Sequence, residues 1–230
     1  MPRIGLLGGM SWKTTALYYQ LINQRVNERL GGLHSASLLV RSLDYAEVAD
    51  AVATEDTDAL ISVLVNGAQD LKDVKTLVLC ANVAHKAADE LTRRLDLPIL
   101  HIADCTAKEV LRNGHSRVGL LGTKAVMEEP FYVERLKSYG LEVRVPDEIF
   151  RASADVSIFQ ELSKEIIPED ARTAWVEAAR SLVADQQVDC LILACTELRL
   201  VLDESNVEVP TFETTAIHAQ AAADFALDGE

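Results

Sequence analysis

Few residues in this 230-residue chain combine a reactive type with a reactive setting, and Cys195 leads them. It stands in "LACTELRL", just past an apolar run and just before polar Thr196 and Glu197. A thiol at a strand end and helix start meets unpaired backbone N–H groups, and the helix dipole lowers its pKa. That predicts a thiolate able to act as nucleophile or base. The alternative is a structural cysteine at a strand end. A second stretch of the same shape, "LVLCANVAHKAADEL" (residues 77–91), carries Ala81 at the matching place. The methyl of Ala81 can neither ionise nor relay a proton. Neighbouring strand side chains point to opposite faces, so Cys80 is read as core and not as a substitute. Cys105 and Cys190 are read as core thiols too.

The elements that position these residues are written twice. "RIGLLGGM" begins at Arg3 and "RVGLLGTK" at Arg117, an offset of 114. The same offset carries Leu17-Tyr18 onto Phe131-Tyr132, and Leu77–Asn82 onto Leu191–Thr196, so Ala81 is the mate of Cys195. A fourth pair, "LPILHIADCTA" from Leu97 and "VPTFETTAIHA" from Val209, matches at 112. Strands are expected at 4–7, 76–80, 118–121 and 190–194, with helices near 14–29, 59–74, 129–139 and 168–187. Apolar runs bounded by turns suit parallel strands covered on both faces. The fold class expected is α/β, two pseudo-symmetric doubly wound parallel-sheet domains with the active site in the cleft between them. Pro98 and Pro210 open short strands where the chain crosses, which gives domains at 1–97 plus 211–230 and at 98–210.

Composition narrows the function. The charge is −14, from 36 acidic and 22 basic residues, with no Lys/Arg cluster, which disfavours nucleic acid or an anionic membrane surface. No apolar run approaches the ~18–20 residues that span a bilayer. The opening "MPRIGLLGGM" is too short and glycine-rich for a signal peptide. Four cysteines without CxxC pairing suit reduced thiols, so a cytoplasmic protein is expected, with a homodimer as its assembly. His85 and His218 read as satisfied, partly buried histidines. There is no HExxH, no Cys/His metal spacing, no GxGxxG and no Walker A, so no metal site is expected.

Taken together and in order, "IGLLGGMSWKTTALYYQLIN", "CANVAHKAAD", "LLGTK", "LACTEL" and "VPTFETTAIHA" resemble the cofactor-independent aspartate/glutamate racemase family, in its broad-specificity amino-acid racemase branch. The resemblance implies two cysteines on opposite faces of a substrate Cα, one removing and one returning a proton, with neither PLP nor metal. The family's second motif, C-T-E, is matched in full by Cys195-Thr196-Glu197. Its first, C-N-T-x-H, is matched at Asn82 and His85, with Val83 for the Thr and Ala81 for the Cys. The resemblance further implies a small carboxylate substrate held at Met10, Ser11, Ser42, Asn82, Val83, Thr123 and Thr196, where backbone N–H groups stabilise an enediolate. N-capping is the alternative reading for Ser11, Thr123 and Thr196. Lys164 and Arg41 are candidates for a distal carboxylate, or solvated surface charges. Three functions follow: a racemase acting at the Cα of an aspartate- or glutamate-like amino acid, impaired by Ala81; a one-cysteine decarboxylase or other lyase; and a non-catalytic dicarboxylate binder.

Overall fold

Apolar runs without alternation form the central strands. β1 (Ile4–Gly8), β3 (Thr76–Leu79) and β6 (Cys190–Ala194) are buried at every position, and β4 (Arg117–Gly122) at all but its first. Such strands need cover on both faces, which parallel sheets with crossover helices supply. The computed structural model, which describes residues 1–54, 56–203 and 205–229 without the side chains of Val52 and Ala53, has this arrangement. With β2 (Leu38–Ser42), the first sheet is ordered β2-β1-β3; with β5 (Glu142–Arg144) and β7 (Thr211–Glu213), the second is β5-β4-β6-β7. All their pairings are parallel.

The sequence repeat is a repeat of register. Ile4 pairs with Thr76 and Leu7 with Leu79; at the same offset, Val118 pairs with Cys190 and Leu121 with Leu193. The 112 offset reappears as well: Leu77 bridges Ile99, and Leu191 pairs with Thr211. The N–H of Leu77 donates to the Pro98 carbonyl and that of Leu191 to the Pro210 carbonyl, both at 2.9 Å.

The chain divides into two compact units, Met1–Ile102 with Thr215–Glu230, and Ala103–Thr214. In the first, alternate strand residues feed two cores. Ile4, Leu6, Val78 and Cys80 pack with Tyr18, Ile22 and Val26 of α1 (Trp12–Leu30) and with alanines 219, 222, 223 and 226. Leu7, Leu77 and Leu79 pack with Leu60 and Leu64 of α3 (Thr57–Ala68), which follows α2 (Tyr45–Ala53), and with Leu91 of α4 (Ala88–Leu95). Each fully buried Leu or Ile contributes roughly 1.5–3 kcal/mol of burial energy.

The second unit takes in nearly all of α5 (Ile102–Arg112), then α6 (Lys124–Glu128), α7 (Pro130–Ser138), α8 (Glu148–Val156) and α9 (Glu169–Ala184). Its core centres on Trp175, against Leu121, Leu191 and Leu193. The Trp175 indole N–H donates to Ser157 Oγ at 3.1 Å, which satisfies the one polar atom of a buried ring. The final helix α10 (Thr214–Asp228) returns to the first unit.

Several expectations shift. The units divide at the first residues of α5 and α10, not at 97/98 and 210/211. Hydrogen bonds explain this: the Leu100 N–H donates to the Leu77 carbonyl, and β7 is paired to β6, so each proline segment stays with the sheet it follows. The Pro98 strand is reduced to one bridge at Ile99. The helix expected over 59–74 stops at Ala68; Leu71 and Val74 keep the apolar rhythm and are buried, but from a turn in which Asp73 has φ +60°. Before Pro130 the chain makes a separate short helix, α6, and Glu129 breaks it with ψ 147°, since a residue preceding proline is barred from helical geometry.

Candidate active site

In each unit the candidate residues emerge at the carboxyl ends of adjacent parallel strands, where open α/β sheets bind ligands. In the first unit Gly8 pairs with Ser42, so the turns after β1 and β2 start side by side. Gly9 has φ +93°, and a Cβ there would meet the Leu43 carbonyl oxygen at 2.1 Å; only glycine fits. The Gly9 N–H donates to Thr15 Oγ1 at 2.9 Å, and that hydroxyl donates to the Ser11 carbonyl at 3.0 Å. Ser11 caps α1, accepting from the Thr14 N–H at 3.3 Å, as its capping reading expects. Met10 is buried in the α3-side core, while Ser42 is exposed.

Ala81, Asn82 and Val83 follow β3, each partly exposed, and lead into a 3-10 helix, Val83–Ala87. Cys80 is core, and burial pushes its thiol well above the ordinary range. His85 is the scaffold of this turn. Its Nδ1 lies 3.0 Å from the Ala81 carbonyl, and its Nε2 accepts the Ile102 N–H at 3.2 Å. The second bond fixes the tautomer with the proton on Nδ1, which donates to Ala81. His218 is held likewise, its Nδ1 2.8 Å from the Tyr18 hydroxyl and its Nε2 2.7 Å from the Leu100 carbonyl. Burial, and for His85 the neighbouring His101, push both pKa values down, His218 to about 3. Both are satisfied, neutral and buried histidines, as the sequence suggested.

Gly122 pairs with Ala194 in the second unit, which sets Thr123 and Cys195 at neighbouring strand ends. Thr123 caps α6, its Oγ1 accepting from the Val126 N–H at 3.4 Å. The Lys124 N–H beside it donates to Asp155 Oδ1 at 2.7 Å. Cys195 holds the cap position of a 3-10 helix, Thr196–Leu200. Its thiol donates to Glu197 Oε2 at 3.0 Å, and the Thr196 hydroxyl donates to the same oxygen at 2.7 Å. Thr196 therefore holds the carboxylate and does not cap the helix.

The expected low pKa of Cys195 is overturned. Burial first, then the charge of Glu197, with a further contribution from Asp155, hold the thiol well above its usual value. The helix behind it spans five residues of 3-10 geometry, too short for a dipole to offset a carboxylate at hydrogen-bond distance. Cys195 is the one described cysteine with partial exposure; Cys105 and Cys190 are buried and pushed up to about 12.

Of the two candidates for a distal carboxylate, Arg41 pairs with Asp70 at 3.2 Å and donates to the Ser42 carbonyl. That suits a surface ion pair. Lys164 is exposed and bonded to Gln160 at 3.0 Å, but its 3-10 helix, Leu162–Lys164, packs against the one that follows Cys195. Glu197 and Asp155 had no role in the sequence reading. Glu197 had a signal, two residues from the thiol; Asp155 had none, since only folding carries it to the Thr123 turn.

The family model described as Asp/Glu/hydantoin racemase matches residues 7–222. The chain belongs to this family. It is 26% identical to the broad-specificity amino-acid racemase RacX of Bacillus subtilis (strain 168), over 95% of each chain. A solved Yersinia pestis protein assigned to the Asp/Glu racemases superposes with a TM-score of 0.92 at 43% identity, covering 99% of this chain and 100% of that one. An aspartate racemase homologue from Pyrococcus horikoshii OT3 gives 0.84 at 27%, over the same shares. The racemase-family fold, two parallel sheets flanked by helices, is that of this chain, and among the described residues no helix is long and apolar enough to cross a membrane.

Proposed function

We propose that this racemase-family chain is an isomerase that moves the α-proton of a small, aspartate- or glutamate-like amino acid, with Cys195 as acid/base on one face. The observation that carries the reading is the thiol of Cys195 bonded to Glu197 at the carboxyl end of β6. The substrate carboxylate would be held by backbone N–H groups at the Met10–Ser11, Asn82–Val83, Thr123 and Thr196 turns, with Ser42 beside the first. Such donors stabilise the enediolate formed when Cα loses its proton.

Proton movement then follows from the site. At rest Cys195 is a thiol and thus an acid. To act as base it passes its proton to Glu197 Oε2, 3.0 Å away, and the thiolate takes the Cα proton. A raised thiol pKa keeps the thiolate scarce but makes it a stronger base once formed. Return of the proton from the same sulfur restores the starting enantiomer. Inversion needs a donor on the other face, where the reading assigns position 81, and Ala81 has none. Water on that side is the donor in this reading, and inversion is slow.

The test is an NMR screen in D2O across L- and D-amino acids, following loss of the Cα–H signal. Exchange is expected for at least one short acidic or neutral amino acid, and Cys195→Ala is expected to lower it by ~10²–10⁴-fold. Exchange unchanged in Cys195→Ala would remove Cys195 from the chemistry. A lyase is the second reading, favoured by the protonated single thiol, which suits one-sided protonation of a carbanion. Release of CO2 or a leaving group from substituted malonates in the same screen would select it.

A further inference from the structure

Away from these turns, the second unit gathers an imidazole, a carboxylate and a thiol. The ligand atoms of His115, Asp189 and Cys190 all lie within 4.8 Å of one another. The parallel register explains the meeting: Val118 pairs with Cys190, so the residues just before β4 and the first of β6 share one sheet edge, at the amino ends of the strands. Cys195 stands at the carboxyl end of the same β6. Asp189 laces the edge together. Its N–H donates to the Arg117 carbonyl at 2.8 Å, and its Oδ2 accepts the N–H groups of Ser116 and Arg117, both at 3.2 Å.

The other carboxylate oxygen is the unusual atom. Asp189 Oδ1 is buried and, among the described residues, meets no N–H or O–H donor at hydrogen-bond geometry. Nδ1 of His115 lies 3.6 Å from it, too far for a hydrogen bond. The neighbouring Cys190 thiol is a weak donor to Asp189, and burial with that carboxylate beside it pushes the thiol up to about 12, so a metal must displace its proton. The His115 ring is held edge-on to Phe212, with centroids 5.6 Å apart, so it does not swing freely away. An imidazole nitrogen, a carboxylate oxygen and a sulfur thus converge within 4.8 Å, a mixed donor set that one cation can bridge. On a tetrahedral zinc-sized ion, bonds of ~2.0–2.3 Å place neighbouring N and O ligands roughly 3.4 Å apart, close to the His115–Asp189 separation.

We propose that His115, Asp189 and Cys190 bind a divalent transition-metal ion of the zinc class. The mixed N, O and S set suits Zn2+ or Co2+ and is wrong for Mg2+ or Ca2+, which take oxygen ligands. Three protein ligands leave the fourth position for water. On binding, Cys190 releases its thiol proton to solvent and coordinates as thiolate. The ion clamps the 115–117 loop to the start of β6. It stands apart from the proton-transfer residues, and its test does not depend on activity.

The test is a Co2+ titration of the full chain, wild type and Cys195→Ala, followed by absorption. Both proteins are expected to take up one equivalent with a thiolate-to-cobalt charge-transfer band and four-coordinate d–d bands, displaced by Zn2+. Cys190→Ser should abolish the charge-transfer band. His115→Gln, a change at a partly exposed side chain that leaves the core intact, should weaken Co2+ at least as much as the ~10–100-fold seen when outer-shell groups are lost. The His115 variant keeps the test decisive if Cys190→Ser fails to fold. No thiolate–cobalt band in wild type, a band that His115→Gln leaves untouched, or a band that vanishes in Cys195→Ala would each overturn the site.

Discussion

At the scale of single residues, the Cys195 thiol proposed as acid/base is defined by a carboxylate. Glu197 accepts from both Cys195 and Thr196, and its charge, after burial, holds the thiol up. Glu197→Gln removes that charge, so the thiol pKa should fall. Alkylation by iodoacetamide at neutral pH should then speed up by roughly 3–10-fold for each unit of fall, since a less basic thiolate is also a weaker nucleophile, measured by mass spectrometry of the Cys195 peptide. An unchanged rate would mean that Glu197 does not control the thiol. In wild type Cys195 should still label ahead of Cys80, Cys105 and Cys190, through exposure and not through a low pKa. That Cys195 stands past a strand end, before Thr and Glu, was legible in the sequence. The sign of its pKa shift was not, because the partial burial of Cys195 and the direction of the Glu197 side chain arise only on folding.

At the scale of elements, the strand-end turns are set by tight backbone approach. Gly9→Ala should destabilise the chain more than Gly32→Ala. Both glycines have positive φ, but a methyl added at Gly32 would have nothing within 4 Å, whereas one added at Gly9 faces the Leu43 backbone. The Gly32 change carries only the left-handed cost of ~1–2 kcal/mol. Urea denaturation of the two variants checks this, and equal losses would contradict it. The central strands were readable because both faces are covered and no alternation dilutes the apolar run. Helix ends were less so. Leu71 and Val74 extend the helical period of α3 although the helix has ended, since a turn can also deliver apolar side chains to the core. The break at Glu129 was written in Pro130 and the Thr123 cap lies next to the short helix before it, but Asp155, which accepts the Lys124 N–H, is distant in sequence.

At the scale of the whole molecule, an internal duplication organises everything, and it was the most legible feature because the offset that aligns the motifs also aligns the strand registers. The two copies differ at the matched strand ends. The first has buried neutral histidines behind Ala81; the second has the Cys195 thiol. His218, and with it His85, resists protonation when folded, whereas an unfolded histidine titrates near 6.5. The unfolded chain therefore binds more protons below that value. Stability should be full above about pH 6.5 and fall as pH drops from 6.5 toward about 3, by up to ~1.4 kcal/mol per pH unit for His218, with His85 acting in the same direction. Urea midpoints across that range check it, and His218→Gln should flatten the slope; an unchanged slope would assign acid lability to carboxylates alone. The duplication also frames the central claim, that one copy supplies a proton carrier and the other lacks it. The most direct test is a paired time course on wild type and Ala81→Cys, with Cα–H loss in D2O followed by NMR and enantiomer ratio by chiral chromatography. Wild type should exchange with retention faster than it inverts, by up to the ~10²–10⁴-fold that one acid/base group contributes, and Ala81→Cys should raise inversion while leaving substrate binding nearly unchanged. Inversion as fast as exchange in wild type, with no gain in Ala81→Cys, would contradict the claim and put an unidentified proton donor on the second face of the substrate.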